Sequence, residues 1–162
     1  MSFLMKMYSG QVINPEAMPV TLEITDFARG LATKYRYSGQ SKYLIDVAQH
    51  SLMVCELVAA IKPDNYKVQM MALLHDIEEA ITGDIPTGIK TYLDSDFDPY
   101  WSSNGLKDKL IDMRGNIQYS LVDTCAGILP LEDQQLIDEM DQVAMWIEAD
   151  INEDKYMKDL CK

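Results

Sequence analysis

The two histidines of this chain both lie beside residues that could bind a metal ion or move a proton. His75 is followed directly by Asp76 and, one helical turn later, by Glu79. On a helix, residues three and four positions apart share a face, so these three side chains can project toward one small volume. Imidazole together with carboxylate suits Zn, Mn, Fe, Co or Ni rather than Ca. His50, on a neighbouring predicted helix, could supply a second nitrogen ligand.

A fourth ligand is expected from a distant helix, and Asp141 is the candidate. It interrupts an otherwise apolar helical stripe, where an unpaired charge would be costly. Asp138 and Asp123 compete for this role, and Asp141 could instead pair with a buried Lys or Arg. A metal with open coordination positions would lower the pKa of a bound water and polarise a phosphoryl oxygen. The pattern therefore indicates hydrolytic chemistry.

Several residues near these ligands could handle protons and phosphate. Glu79 could act as a general acid or base, or orient the attacking water, and Asp84 could hydrogen-bond a substrate hydroxyl or that water. Arg36, at the end of the first predicted helix, offers two donors to a phosphate. Tyr37 beside it and Lys90 shortly after the motif are the other candidate substrate contacts. The alternatives for Arg36 are a helix cap and a bridge to a carboxylate.

Composition limits the classes of function. With 162 residues, 48% of them hydrophobic, the chain is expected to form one domain over residues 1–162, with a solvated tail from about residue 152. The formal charge of -12 argues against duplex nucleic acid or an anionic membrane as partner. Three cysteines without CxxC spacing favour a reducing, cytoplasmic location. Neither a signal peptide nor a membrane span of ~20 apolar residues is expected.

The apolar periodicity predicts an all-α fold with at most a short N-terminal β-hairpin. The hairpin is expected around Met7 to Val12, and a loop or lid is expected over residues 92–104. The five predicted helices are Ile24 to Tyr35, Asp46 to Ile61, Asn65 to Ile81, Leu106 to Leu121 and Leu131 to Ile151.

The motifs as a set resemble the HD-domain metal-dependent phosphohydrolases. The matching segments are Gln49-His50-Ser51, His75-Asp76 with Glu79, Gly83-Asp84-Ile85-Pro86, Lys90 and Met140-Asp141-Gln142-Val143-Ala144. Within that superfamily, four further segments are similar to the small bacterial, prophage and phage 5′-deoxynucleotidases. These segments are Met1-Ser2-Phe3, Tyr8-Ser9-Gly10, Arg36-Tyr37-Ser38-Gly39 and Val47-Ala48-Gln49-His50-Ser51.

The resemblance implies a helical bundle of the HD type and one divalent transition metal. The ligands that it implies are His50, His75, Asp76 and Asp141. It also implies that Glu79 assists the water, that Arg36 contacts phosphate, and that the protein is a homo-oligomer acting on deoxynucleotides. The metal is expected to be Co, Mn, Zn, Fe or Ni, with Mg as an addition for a triphosphate substrate.

The substrate remains open among three alternatives. The leading hypothesis is a 5′-deoxynucleotidase that converts deoxynucleoside monophosphates to deoxynucleoside and phosphate. A triphosphohydrolase acting on deoxynucleoside triphosphates is the runner-up, because three phosphates call for more cations than the obvious four, which are Lys34, Arg36, Lys42 and Lys90. A catalytically idle HD protein that binds a nucleotide or serves regulation is the alternative of another class.

Overall fold

The computed structural model describes residues 4–14, 21–86, 88–89, 106–122 and 129–152. Within these ranges the protein is helical apart from one two-stranded hairpin, which confirms the predicted fold class. The elements are β1 (Met5–Lys6), β2 (Val12–Ile13), α1 (Ile24–Ala32), a 3₁₀ helix (Arg36–Gly39), α2 (Val47–Ile61), α3 (Tyr66–Leu73), α4 (Glu79–Thr82), α5 (Leu106–Val122) and α6 (Leu131–Ile151). No described helix combines the length and the apolar character that crossing a bilayer would take.

The N-terminal hairpin is antiparallel, and its strands lie slightly outside the predicted span. Met5 pairs with Ile13 and Lys6 pairs with Val12. Asp26 of α1 accepts hydrogen bonds from the backbone N–H of Ser9 at 2.7 Å and from its hydroxyl at 2.6 Å. These two bonds attach the hairpin turn to α1.

The start of α2 is fixed by its N-cap, as the sequence predicts. Asp46 accepts a hydrogen bond from the backbone N–H of Gln49 at 2.8 Å, and the Gln49 side chain accepts one from the Asp46 N–H at 3.0 Å. This capping box satisfies two N–H groups that the helix itself leaves unpaired. Since His50 follows directly, the cap also sets where its side chain leaves the helix.

The predicted helix from Asn65 to Ile81 is wrong as a continuous element. The structure has α3, then turns over residues 74–78, then the short α4. Side chains take carbonyls that a continuous helix would use: His75 Nδ1 lies 2.8 Å from the Ala72 oxygen, and Gln118 donates to the Leu74 oxygen at 2.8 Å. Tighter three-residue turns result.

Helix α1 ends earlier than predicted, at Ala32 rather than Tyr35. The chain then crosses beside the start of α2: Arg36 N–H donates to the Ile45 carbonyl, and Val47 N–H donates to the Lys34 carbonyl, both at 2.9 Å. The 3₁₀ helix follows. These backbone bonds hold Arg36 next to the first turn of α2.

Two hydrophobic clusters make up the described core, and α2 contributes to both. The first joins the hairpin, α1, the 74–78 turns, α4 and α5 through Met7, Ile13, Phe27, Leu31, Val47, Leu74, Ile77, Ala80 and Ile117. The second joins α2, α3 and α6 through Val54, Val58, Val68, Ala72, Leu129, Ile137 and Ala144. His50 lies between the two clusters, because it falls between Val47 and Val54 on the buried face of α2.

Some predictions fall outside the described residues. These concern Lys90, the 92–104 segment with Phe97, Tyr100 and Trp101, the competing ligand Asp123, and the tail from residue 153. The assignment of residues 1–162 to one domain also stays a prediction.

Candidate metal centre

The structure brings the four predicted ligands together. His50 comes from α2, His75 and Asp76 come from the turns between α3 and α4, and Asp141 comes from the middle of α6. His50 Nε2 lies 3.3 Å from His75 Nε2 and 2.9 Å from Asp141 Oδ1, and Asp76 Oδ2 lies 3.2 Å from His75 Nε2. The distances from His50 Nε2 to Asp76 and from His75 Nε2 to Asp141 are 3.9 and 3.7 Å.

Hydrogen bonds at the Nδ1 atoms of the two imidazole rings determine the tautomers of the rings. They leave Nε2 as the nitrogen that faces the cluster. His50 Nδ1 lies 2.7 Å from a carboxylate oxygen of Glu148, and His75 Nδ1 lies 2.8 Å from the Ala72 carbonyl oxygen. Because both partners only accept, each neutral ring carries its proton on Nδ1. Both Nε2 lone pairs then point into the cluster.

With both rings neutral, the atoms that face the cluster are all hydrogen-bond acceptors. Asp141 Oδ1 is buried and has no hydrogen-bond donor among the described residues, although it lies close to His50 Nε2. Two nitrogen lone pairs and two carboxylates at such short separations repel unless a cation lies between them. Ligands about 2.0–2.2 Å from one ion are spaced by roughly the distances seen here. The donor set therefore fits a divalent transition metal, and nitrogen with oxygen ligands suits Co, Mn, Zn, Fe or Ni.

Electrostatics at the cluster also favour positive charge. Burial disfavours a charged His75, but Asp76 and Asp141 outweigh it and raise the pKa of His75 to about 10. Burial likewise opposes ionisation of Asp76 and Asp141, yet the neighbouring histidines hold both carboxyl pKa values well below their usual range. Without a metal, a proton on His75 takes the place of the cation.

Glu148 organises the side of the centre behind His50, and the sequence interpretation missed it. This carboxylate is fully buried and accepts from His50 Nδ1, from Arg36 Nε at 3.0 Å and from the Tyr37 hydroxyl at 2.6 Å. Burial opposes its ionisation, but His50 and Arg36 keep its pKa below the usual range. The available signal was spacing: Glu148 follows Asp141 by two helical turns, so both lie on one face of α6.

Arg36 lies at the cluster and bridges to a carboxylate. Its Nε donates to Glu148, while its Nη1 lies 3.8 Å from Asp76 Oδ2. Tyr37 and Ser38 next to it have φ values of 57° and 54°, a left-handed conformation that is costly for residues with a Cβ. The bond from Tyr37 to Glu148 helps to hold this turn. Backbone strain is thus concentrated where the guanidinium approaches the predicted metal ligands.

Arg114 and Glu78 form a second ion pair beside Asp76, which the sequence interpretation also missed. Arg114, on α5, donates from Nε to Glu78 at 2.9 Å and from Nη2 to the other Glu78 oxygen. The same Nη2 lies 3.5 Å from Asp76 Oδ1. Glu78 is deeply buried, with only 1% of it exposed. The pair fixes Asp76 from the side opposite its Oδ2.

Glu79 and Asp84, the other predicted residues, follow Asp76 closely in the sequence. Glu79 is the first residue of α4 and is buried, and α4 begins three residues after Asp76. Asp84 follows Gly83, whose φ of 78° ends α4, and Asp84 Oδ2 is a buried atom without a hydrogen-bond partner in the described part of the chain. Asp138, the competing ligand, is exposed and accepts from Gln134 at 3.1 Å instead.

Comparison with known proteins confirms the resemblance of this chain to the HD-domain phosphohydrolases. The model of the 5′-deoxynucleotidase YfbR-like family matches residues 31–103. The matched span contains Arg36, His50, His75 and Asp76, whereas Asp141 lies beyond it. Of the described residues, His50, His75 and Asp76 form a group that could hold a metal ion, and all three lie in the matched span.

Two further similarities extend the comparison. An uncharacterised protein of Rhodobacter capsulatus is 39% identical over 89 residues, which are 52% of this chain and 45% of that protein. The match thus spans less than half the length of that relative. A conserved hypothetical protein from Pyrococcus furiosus superposes with a TM-score of 0.56 over 83% of this chain and 85% of its own, at 21% identity. This second likeness concerns the fold alone.

Proposed function

We propose that the protein is a metal-dependent 5′-deoxynucleotidase that hydrolyses deoxynucleoside 5′-monophosphates to deoxynucleoside and phosphate. The observation that carries this proposal is the convergence of His50, His75, Asp76 and Asp141, in which Asp141 Oδ1 is buried without a hydrogen-bond donor in the described part of the chain. The family match over residues 31–103 supports the reaction type.

The proposed metal ligands are these same four residues, and the ion is a divalent transition metal. When bound, such an ion supplies Lewis acidity, which polarises a phosphoryl oxygen and makes water more acidic. Glu148 and the Ala72 carbonyl keep the two imidazole rings in the tautomer that binding requires.

The chain's own residues perform the remaining steps. Arg36 holds the phosphate, since its guanidinium is fixed at the cluster by Glu148 and stays charged because its pKa lies above the usual range, although burial opposes this. Glu79 takes the proton of the attacking water and returns it to the leaving 5′-oxygen. Asp84, with its buried Oδ2, accepts a hydrogen bond from that water or from a substrate hydroxyl. Tyr37 and Lys90 complete the proposed substrate contacts.

The balance of charge favours a monophosphate over a triphosphate. Two guanidinium groups, Arg36 and Arg114, lie within 3.8 Å of Asp76, but each is paired with a buried carboxylate. Among the described residues beside the centre, these pairings leave little positive charge to neutralise a chain of three phosphates. Binding the single phosphate of a monophosphate requires the least additional positive charge from the protein.

Product analysis tests the proposal. Metal-free protein is reloaded with Co, Mn or Zn and offered deoxynucleoside mono-, di- and triphosphates. We expect orthophosphate and free deoxynucleoside from the monophosphates only in the presence of metal. Release of intact triphosphate would transfer the assignment to the triphosphohydrolase reaction, and absence of turnover with every metal would favour a binding or regulatory protein.

A further inference from the structure

The two carboxylate oxygens of Asp76 face different partners. Oδ2 lies 3.2 Å from His75 Nε2 and 3.9 Å from His50 Nε2, within the proposed set of metal ligands. Oδ1 lies 3.5 Å from Arg114 Nη2. A carboxylate can bind a metal ion through one oxygen or through both. The partner of Oδ1 therefore bears on how many oxygens Asp76 offers to a metal.

Arg114 is itself held in place by a buried carboxylate. Its Nε donates to Glu78 at 2.9 Å and its Nη2 donates to the other Glu78 oxygen, so the pair is bidentate. The backbone of Glu78 is also fixed, because its carbonyl accepts from the N–H groups of Ile81 and Thr82 at 2.9 and 3.0 Å. The guanidinium is thus aimed at Asp76 by a residue only two positions further along the chain.

Helix α5 holds the backbone of Arg114 against the same turns. Ile117 is fully buried in the first hydrophobic cluster, and Leu110 is buried as well. Gln118 donates to the Leu74 carbonyl at 2.8 Å. Because residues three and four positions apart share a helix face, these side chains and Arg114 lie on one face of α5. Arg114 therefore reaches Asp76 from a packed helix.

We propose that Arg114 is a positioning residue that keeps Asp76 a one-oxygen ligand. Its guanidinium contacts Oδ1, so that Oδ2 alone is directed to the metal and the centre keeps room for water and substrate. The proposal rests on the proposed function, of which it uses the metal ligands. It gives a role to α5, which lies outside the span of the family match. Without the guanidinium, Asp76 is free to turn both oxygens to the metal.

The visible absorption of bound Co²⁺ tests the proposal, because this absorption weakens as the number of ligand atoms rises. Protein stripped with a chelator is loaded with an equimolar amount of Co²⁺. Arg114→Gln removes the guanidinium. The matched control is Gln118→Leu, which removes another bond between α5 and the turns, the one to the Leu74 carbonyl. Circular dichroism checks the fold, and kcat and KM for phosphate release from deoxynucleoside monophosphates are measured alongside.

Two further variants separate positioning from stability. Arg114→Gln leaves the buried Glu78 carboxylate without its guanidinium, and an uncompensated buried charge is destabilising. The double variant Arg114→Gln with Glu78→Gln removes both charges, so that it restores stability without restoring the contact to Asp76. Arg114→Lys keeps the positive charge, but an ammonium group lacks the planar fork that serves Glu78 and Asp76 together.

We expect the Co²⁺ absorption to weaken in Arg114→Gln and equally in the double variant. In both, kcat should fall by about tenfold or more, with a smaller change in KM. Arg114→Lys should restore part of the absorption, and Gln118→Leu should keep the wild-type spectrum. A wild-type spectrum in the double variant would overturn the proposal. The same spectral change in Gln118→Leu would also overturn it, because Arg114 would then act only by holding the turns.

The two proposals can fail separately. If wild-type protein binds Co²⁺ but releases no phosphate, the proposed function fails, and a weaker spectrum in the double variant still supports the positioning role. If wild-type protein releases phosphate and all variants share its spectrum, the positioning role fails and the hydrolase stands. If wild-type protein binds no Co²⁺, both proposals are overturned.

Discussion

Residues that contact the proposed metal ligands from outside the cluster determine which ligand atoms face a metal ion. Glu148 and the Ala72 carbonyl accept the Nδ1 protons of His50 and His75, and Arg114 lies beside the second oxygen of Asp76. These partners do not face the cluster themselves. They set the ring orientations and the carboxylate orientation, so that the Nε2 atoms and one oxygen of Asp76 face the centre of the cluster.

Asp141 is expected to be a ligand and Asp138 is not. Asp141→Asn removes a charged oxygen next to His50 Nε2, whereas Asp138→Asn changes an exposed carboxylate one helical turn earlier on α6. We expect the metal affinity to fall by about a hundredfold or more in Asp141→Asn and to stay at the wild-type value in Asp138→Asn. Competition with a chromophoric chelator measures both. Equal affinities would exclude Asp141 as a ligand.

Glu148 is expected to act through His50. In Glu148→Gln, the single amide oxygen can accept either from His50 or from Arg36 and Tyr37. On the other side, the NH₂ group then faces a hydrogen-bond donor. Metal affinity should fall by about 10–100-fold. The control is Glu139→Gln, which makes the same change on the exposed face of α6. A chelator competition assay in which the two variants match would contradict the positioning role.

Metal binding should release a proton from His75. Because the pKa of His75 is raised to about 10 in the metal-free protein, its Nε2 is protonated near neutral pH, and the metal must displace that proton. The apparent metal affinity should therefore rise with pH up to about 10, by about tenfold per unit. Calorimetry at one pH in buffers of different ionisation enthalpy counts the released protons. A count of zero at neutral pH would contradict this assignment of charge.

At the scale of elements, the short α4 and its close packing on α1 position the motif. Ala80 lies against Gly30 of α1, and a Cβ on Gly30 would come within 2.8 Å of the Ala80 Cβ and carbonyl oxygen. Glu79 precedes Ala80 directly, so the contact fixes the acid/base candidate as well as the helix.

Gly30→Ala is expected to be destabilising although alanine is the better helix former. The backbones of α1 and α4 must separate, and overpacking of this kind costs about 1–3 kcal/mol. Gly115→Ala makes the same substitution in α5, where the added Cβ is free of contacts, and should stabilise by about 0.5–1 kcal/mol. Urea denaturation of both variants compares the free energies of unfolding. A Gly30→Ala protein at least as stable as wild type would contradict the packing argument.

A helix could be predicted from the sequence where its apolar periodicity and its end signals both indicate the same bounds. The Asp46 cap and the apolar stripe predict α2, and the bounds of α6 at Leu131 and Ile151 are confirmed. The break between α3 and α4 could not be predicted, because the apolar period runs through it. It depends on hydrogen bonds from His75 and Gln118 to backbone carbonyls, and the second bond requires the tertiary position of α5.

Local sequence pattern likewise predicts the candidate ligands but not the residues that support them. His50, His75, Asp76 and Asp141 carry a recognisable spacing or interrupt an apolar stripe, and the structure brings them together. The partners Glu148, Glu78 and Arg114 were missed, because a buried ion pair looks like two surface charges until the fold places them. Local pattern thus predicts the ligands, whereas their supporting partners depend on tertiary contacts.

At the scale of the whole molecule, the centre joins elements from three parts of the chain. Helix α2, the 74–78 turns and α6 each contribute proposed ligands, so a bound metal would link both hydrophobic clusters. The chain carries a net charge of -12, while Arg36 and Arg114 lie beside the centre. The positive groups are therefore placed where an anionic substrate would bind. Homo-oligomer formation stays a prediction.

Metal titration of phosphate release tests the central claim most directly. Protein stripped with a chelator is supplied with Co²⁺ in steps, and orthophosphate release from a deoxynucleoside 5′-monophosphate is followed at each step. We expect no release before addition and a linear rise that ends at about one metal per chain, the stoichiometry of a single four-ligand site. Release that is equally fast in the stripped protein would contradict the claim.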